Sequence, residues 1–313
     1  MKIVITVNKR DVWFCRICVA SIRFYYPEVA IILLKDELNG LFSTKDIELY
    51  WNVQLMTFEV TKFGWSAAKM HLYTDPRFVG EKFFVLDADI IMVGKVLDEA
   101  FLVNNNDDVI VNADAEDVYA PWFKNVYYDI NAIKQHDALF EYPGYVFNCG
   151  QLFCKGNFLS TNHLEPYFNF KGAPSWKDLK TFPMVDQSVL NYLLPTLHKQ
   201  GKLTIGKAHY MVWSEMEGVK KIQLADVKVG NAHPFVIHYA GALRTPLLQY
   251  MTRSDILNFF EIYYYQKIPL GFVKRFVSKL YPFIFHNLRK VYHQFKRLGK
   301  LIKSKFSSTK KMS

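Results

Sequence analysis

After Glu261 the sequence contains no aspartate or glutamate, although thirteen lysines and arginines lie there. Taking those 13 from the 39 bases leaves 26 against 29 acids, so a chain of net charge +10 has a body of net charge −3. A body of that sign supplies no basic surface for a polyanion, and nucleic acid is not expected as a partner. No apolar run approaches the roughly 18 residues that a membrane-spanning helix needs. The opening MKIVITVNKR is interrupted too early to read as a signal peptide. The expected location is therefore cytoplasmic. Cysteine is scarce: Cys15, Cys18, Cys149 and Cys154 are the whole supply. The first two lie in the helix-periodic segment DVWFCRICVASIRFYY, and no second pair at metal-ligand spacing follows. They read as small buried hydrophobes rather than a zinc or redox pair. With half of its residues hydrophobic and only 22% charged, the chain can bury a sizeable core.

What is present is an alternation of apolar runs and helical periodicity. KIVITV predicts a buried strand, followed by a helix over residues 11–26, where apolar positions recur at three and four. VAIILL, NVQLMTFEV, FFVLDADIIMV and DDVIVNAD extend the series of strands. Continuous apolar strands alternating with helices imply an α/β fold with a mostly parallel central sheet flanked by helices. Residues 115–145 turn irregular and aromatic and read as a loop-rich insertion, with Trp122, Tyr127 and Tyr128 able to stack on a ligand. YVFNCGQLFCKG returns to strand, and MVDQSVLNYLLPTLHKQ predicts a helix carrying Asp186 and Gln187 in its first turn.

Residues 1–265 are expected to form the main domain and 266–313 a basic amphipathic helical tail. In that tail Phe272, Phe276, Leu280, Phe283, Leu288, Val291, Phe295, Leu298 and Ile302 share a stripe, with Lys274, Arg275, Lys279, Arg289, Lys296, Arg297, Lys300 and Lys303 opposite. Such a helix is suited to a membrane interface, its cations meeting anionic lipid, which would make the protein peripheral on the cytoplasmic face; the alternative is a terminal helix that docks on the body and shows a solvated charged face.

The most informative stretch is KFFVLDADIIMVGKV, where Asp87 and Asp89 interrupt an otherwise apolar run. An unpaired carboxylate in such surroundings is costly, so both need a compensating partner. In extended chain the two would project to one side, with Ala88 facing away. At the carboxyl end of a strand in an open parallel sheet they would meet in the ligand-binding crevice. A divalent cation, Mn²⁺ or Mg²⁺, is the simplest group that stabilises both and bridges to a diphosphate. PFVIHYAGALRTP adds His238 after a short apolar strand, then Gly241 and Arg244, suited to a third metal ligand and to backbone and cation near phosphate.

Together these segments resemble the family 8 retaining glycosyltransferases, the group that includes glycogenin and bacterial lipopolysaccharide galactosyltransferases. The resemblance rests on FVLDADIIMVGKV, FNCGQLF, DQSVLN and HYAGALRTP, in that order, and spans roughly residues 1–246. It implies a GT-A nucleotide-sugar-binding fold and a metal-dependent retaining transfer of a hexosyl group from a UDP-sugar to a glycan or glycolipid acceptor. It further implies that Asp87, Asp89 and His238 hold the metal, and that Lys69, Asp87, Asn148, Gly150, Gly241 and Arg244 serve the donor. Asp186 and Gln187 would line the reacting centre. The sequence departs from the family pattern at Arg244, where lysine is usual, and at Thr245 and Leu247 on either side of Pro246. It also places Asp11, with Trp13 two residues on, where an aromatic often stacks on the base.

Three other readings compete. A degenerate transferase fold could act as a membrane-associated UDP-sugar-binding scaffold. A nucleotidyltransferase would ordinarily carry a glycine-rich loop after the first strand, which TVNKRDVW is not. A phosphatase of the Asp-x-Asp type would place that motif on its first strand.

Overall fold

The computed structural model describes residues 1–64, 66–171, 174–242 and 248–280. Thirteen strands occur among them: β1 (Lys2–Asn8), β2 (Ile31–Asp36), β3 (Val53–Met56), β4 (Lys82–Asp87), β5 (Ile90–Gly94), β6 (Val109–Asp114), β7 (Val146–Phe147), β8 (Gln151–Lys155), β9 (Phe168–Asn169), β10 (Ser175–Trp176), β11 (Ile205–Ala208), β12 (Met211–Trp213) and β13 (Asn231–His238). The main sheet runs β11-β6-β8-β4-β1-β2-β3, with β7 paired to β6. β1 is parallel to β2 and β4, β2 to β3, and β11 to β6, whereas β8 is antiparallel to both of its neighbours. This is the mostly parallel α/β sheet that the continuous apolar runs predict. A smaller sheet, β12-β13-β5, packs beside it, and β9 and β10 form a short ribbon.

Strand alternation sorts the core into two layers. Ile3, Ile5, Phe84, Leu86 and Phe153 point to one face of the main sheet, where they meet the helix Val12–Tyr25 and the small sheet. Val4, Phe83, Val85 and Leu152 point to the other, against the helices Ala68–Thr74 and Asp186–Lys199. On the first face the helix Ser254–Gln266 lies against Val12–Tyr25, with Phe24 edge-on to Phe259, Phe260 and Tyr263 at 5.2–5.7 Å between ring centroids. Cys15 and Cys18 are buried inside Val12–Tyr25, and all four cysteines are free thiols.

Two expectations need correcting. FFVLDADIIMV is not one strand: the chain turns at Ala88 and Asp89, leaving the main sheet as β4 and entering the small sheet as β5. Likewise YVFNCGQLFCKG divides into β7 and β8, separated by Asn148, Cys149 and Gly150. The segment 115–145 is mostly loop and contains the short helices Phe123–Val126 and Ile130–His136, the second capped by Asp129, whose carboxylate accepts from the N–H groups of Asn131 and Ala132. Helices of one or two turns carry too little periodicity to stand out in so aromatic a context.

Candidate active site

β1 and β4 are neighbours, while the chain after β1 proceeds the other way, to β2 and β3. That reversal opens a crevice beyond the carboxyl ends of β1 and β4, the usual ligand position in open α/β sheets. A cavity of about 380 Å³ lies there, lined by Thr6, Asn8, Asp11, Asp36, Asp87 and Asp89 among others. Its volume falls within the range of small-molecule sites.

Asp87 and Asp89, at one wall of this cavity, converge with His238, each of the three offering a ligand atom within 4.8 Å of the others. Extended alternation does not bring the two carboxylates together, contrary to the sequence-based expectation; the turn does. Asp87 ends β4, while Asp89 starts the run into β5, where its carbonyl accepts from the Tyr239 N–H at 3.0 Å. His238 is delivered by the β13–β5 register, which sets it opposite Ile90. Its Nε2 lies 3.3 Å from Asp89 Oδ1, and its ring stacks on Trp213 with centroids 5.0 Å apart and planes inclined by 16°. Its Nδ1 is buried without a hydrogen-bond partner among the described residues, so the Trp213 stack and the Asp89 contact are what orient the ring.

Gly150 forms the floor. A Cβ there would stand 2.6 Å from His238 Cε1, 2.7 Å from Asn148 Oδ1 and 3.0 Å from Asp87 Oδ2, so no side chain fits. Two carboxylates and an imidazole around a space kept open by glycine make a donor set that fits Mn²⁺ or Mg²⁺.

Behind these three side chains lies a buried polar cluster. Lys69, from the helix Ala68–Thr74, is only 1% exposed and directs its ammonium to Asp87 Oδ1 at 3.1 Å, Asp186 Oδ2 at 3.0 Å and the Cys149 carbonyl at 2.8 Å. Burial alone would lower its pKa, but the carboxylates of Asp186 and Asp87 outweigh burial and hold it above the usual lysine value. Burial raises the Asp186 carboxyl, and the Lys69 ammonium opposes that rise. Thr6 Oγ1 also donates to Asp87 Oδ1, at 2.9 Å.

Asp186 and Gln187 open the helix Asp186–Lys199, whose N-cap, Val185, has φ 43° and makes no side-chain cap bond. A positive φ at a β-branched residue is strained, and the strain sits where the helix start is aimed at the site. Gln187 Oε1 accepts from the Cys149 N–H at 2.9 Å and from Asn148 Nδ2 at 3.4 Å, while Asn148 Oδ1 accepts from the Gly150 N–H at 2.9 Å. One turn on, Asn191 Oδ1 accepts from the Phe147 N–H, and its Nδ2 donates to the carbonyls of Phe147 and Gln187, each at 2.8 Å. Burial pushes the Cys149 thiol well up, which leaves it protonated and no nucleophile.

Of the residues singled out in the sequence, Lys69, Asp87, Asp89, Asn148, Gly150, Asp186, Gln187 and His238 are thus joined in one contact network. Gly241 lies three residues past His238 in a turn, with φ 74°, a conformation that favours glycine. Arg244, with Thr245, Pro246 and Leu247, lies outside the described residues. Sequence reasoning missed Thr6, Asn191 and Trp213, which orient the other groups; nothing local marks them, because their roles arise from strand register and helix docking.

No protein-family model matches the chain. No curated protein matches it in sequence. Solved structures do match in fold. The bifunctional glycosyltransferase WbbM aligns with a TM-score of 0.57 and 14% identity over 90% of this chain, which spans about half, 52%, of that protein. The galactosyltransferase LgtC, in complex with donor and acceptor sugar analogs, aligns with a TM-score of 0.52 and 12% identity over 88% of this chain and 100% of its own. The glycosyltransferase GlyE of Streptococcus pneumoniae TIGR4 gives a TM-score of 0.50 and 16% identity, over 83% of this chain and 60% of its own. At such identities the likeness is one of fold, and the fold is the GT-A type of these glycosyltransferases.

Proposed function

We propose that this chain is a metal-dependent retaining glycosyltransferase that moves a hexosyl group from a UDP-sugar to a glycan or glycolipid acceptor. The observation that carries the reading is the convergence of His238 with Asp87 and Asp89, which line the cavity beyond β1 and β4. The fold shared with glycosyltransferases, one of them bound to donor and acceptor sugar analogs, supports it.

In this reading Asp87, Asp89 and His238 hold Mn²⁺ or Mg²⁺. The bound ion supplies Lewis acidity that neutralises charge on the departing diphosphate. The chain's own residues do the rest. Lys69 keeps Asp87 and Asp186 in place, leaving Asp87 Oδ2 for the metal side of the cluster. Asp186, backed by that ammonium, presents negative charge, and Gln187 presents its amide dipole, to a glycosyl centre that becomes oxocarbenium-like as its bond to the diphosphate breaks. Asn148 and Gly150 border the donor sugar. Gly241 would approach the phosphates, and Arg244, which lies outside the described residues, is the cation that the sequence offers for them.

The test is a panel of UDP-sugars incubated with the protein and Mn²⁺ or EDTA, following UDP release for wild type and Asp89→Ala. Slow hydrolysis of one donor that disappears with EDTA and with the substitution is the expected result. If no donor is hydrolysed but Mn²⁺-dependent thermal stabilisation by a UDP-sugar persists, the scaffold reading replaces the enzymatic one. Absence of both would remove the proposed metal site.

A further inference from the structure

The tail helix begins in an orientation opposite to that of an ordinary surface helix. Residues 271–280 are helical, and the face turned toward the body is polar: Gly271, Arg275, Ser278 and Lys279. Arg275 Nε and Lys279 Nζ reach Glu261 Oε2 at 2.8 and 2.7 Å, and Arg275 Nη2 donates to Asn258 Oδ1 at 2.6 Å. The Glu261 carboxylate is 1% exposed, and its other oxygen accepts from Trp13 Nε1 at 2.9 Å. Gly271 permits the close approach, since a Cβ there would stand 1.8 Å from the Tyr265 carbonyl oxygen. The face turned away is apolar: Phe272 is 81% exposed, Val273 52%, Phe276 60%, Val277 55% and Leu280 42%, with Lys274 among them. The expectation that Arg275 and Lys279 meet lipid is therefore corrected. They neutralise a buried carboxylate of the body.

Five large apolar side chains on successive turns form a patch of the kind that marks an interaction surface. We infer that this face inserts into the acyl boundary of a lipid surface, with Glu261 clasping the helix in the insertion orientation. The sequence decides the occupant. Residues 281–313, which lie outside the described residues, carry nine bases and no acid. A second copy docked on the same face would bring two such segments together, like charge on like, whereas an anionic leaflet attracts them. Insertion by the apolar face and attraction by the following bases are separable contributions. The inference does not depend on the proposed chemistry.

The experiment is co-flotation of the full chain with vesicles of neutral phosphatidylcholine and of phosphatidylcholine with phosphatidylserine, at 0.15 and 1 M NaCl. Wild type is compared with Phe272→Ser/Phe276→Ser, whose side chains are exposed and whose thermal melt should stay unchanged. Expected are binding to both vesicle types, a part of it resistant to 1 M salt, and at least a tenfold loss of partitioning in the double variant. A nitroxide placed by Phe276→Cys, selective because the native cysteines are buried, should report immersion below the phosphate level. The inference is overturned if the double variant partitions like wild type, or if wild type fails to bind either vesicle. It is equally overturned if light scattering shows a dimer that the double variant dissociates while the nitroxide stays in water.

Discussion

A side-chain carbon on Gly150 would lie 2.6 Å from His238 Cε1. The glycine between Asn148 and β8 thus holds open the space into which the histidine of β13 projects, although 88 residues separate the two in sequence. Gly150→Ala should therefore displace His238 and weaken Mn²⁺ binding tenfold or more, as titration calorimetry would report. Overpacking of this kind costs about 1–3 kcal/mol, so the melting curve should shift without losing cooperativity.

Lys69 is the counterion of two buried or half-buried carboxylates. Lys69→Met should cost about 3–5 kcal/mol in urea unfolding, because removing one partner leaves charge without compensation. Adding Asp186→Asn to that variant should recover part of the loss. A double variant no more stable than Lys69→Met alone would show that Asp186 does not depend on this ammonium.

Asn191 ties the helix Asp186–Lys199 to the Phe147 backbone through two hydrogen bonds of 2.8 Å, and a third of the same length goes to the Gln187 carbonyl within the helix. Asn191→Ala leaves the buried Phe147 groups unpaired, at about 1–3 kcal/mol each. If the proposed function holds, donor hydrolysis at saturating UDP-sugar should fall while metal affinity, assigned there to Asp87, Asp89 and His238, stays within a factor of about three. Loss of metal binding in parallel would contradict that separation.

Asp108 joins strands at the opposite end of the sheet. It accepts from Lys155 Nζ at 3.0 Å and from the Thr204 N–H at 2.8 Å. Burial raises its pKa, but the bonds from Lys155 and Thr204 outweigh burial and leave it below the usual carboxylate value. A depressed folded-state pKa gives stability that is present above the unfolded value of about 3.9 and lost as pH falls through the folded value. Asp108→Asn should thus be destabilising by about 0.5–1 kcal/mol at pH 7. That difference should shrink in denaturant melts taken progressively below pH 4.

The parallel sheet was legible because β1, β2 and β4 are near-continuous apolar runs, and Asp87 and Asp89 stood out because charge interrupts such a run. The turn between the two aspartates was not legible. ADIIMV has the apolar continuity of a single strand, and only pairing with β13 reveals that β5 belongs elsewhere. Lys69 offered no local signal either, since lysine on a helix ordinarily points to water. Its burial follows from two carboxylates contributed by segments 18 and 117 residues away. Val185 at positive φ illustrates the same limit, as the docked helix rather than local preference fixes its backbone.

The turn at Ala88 has a mechanical consequence. Asp87 belongs to the main sheet, whereas Asp89 and His238 belong to the edge where the small sheet begins. A cation held by all three is a rivet through the seam between two layers. By mass action its binding free energy becomes cohesion of that seam, about 2.7 kcal/mol at a hundredfold excess over Kd. The same ion that would meet a diphosphate would then also set how firmly one sheet is fastened to the other.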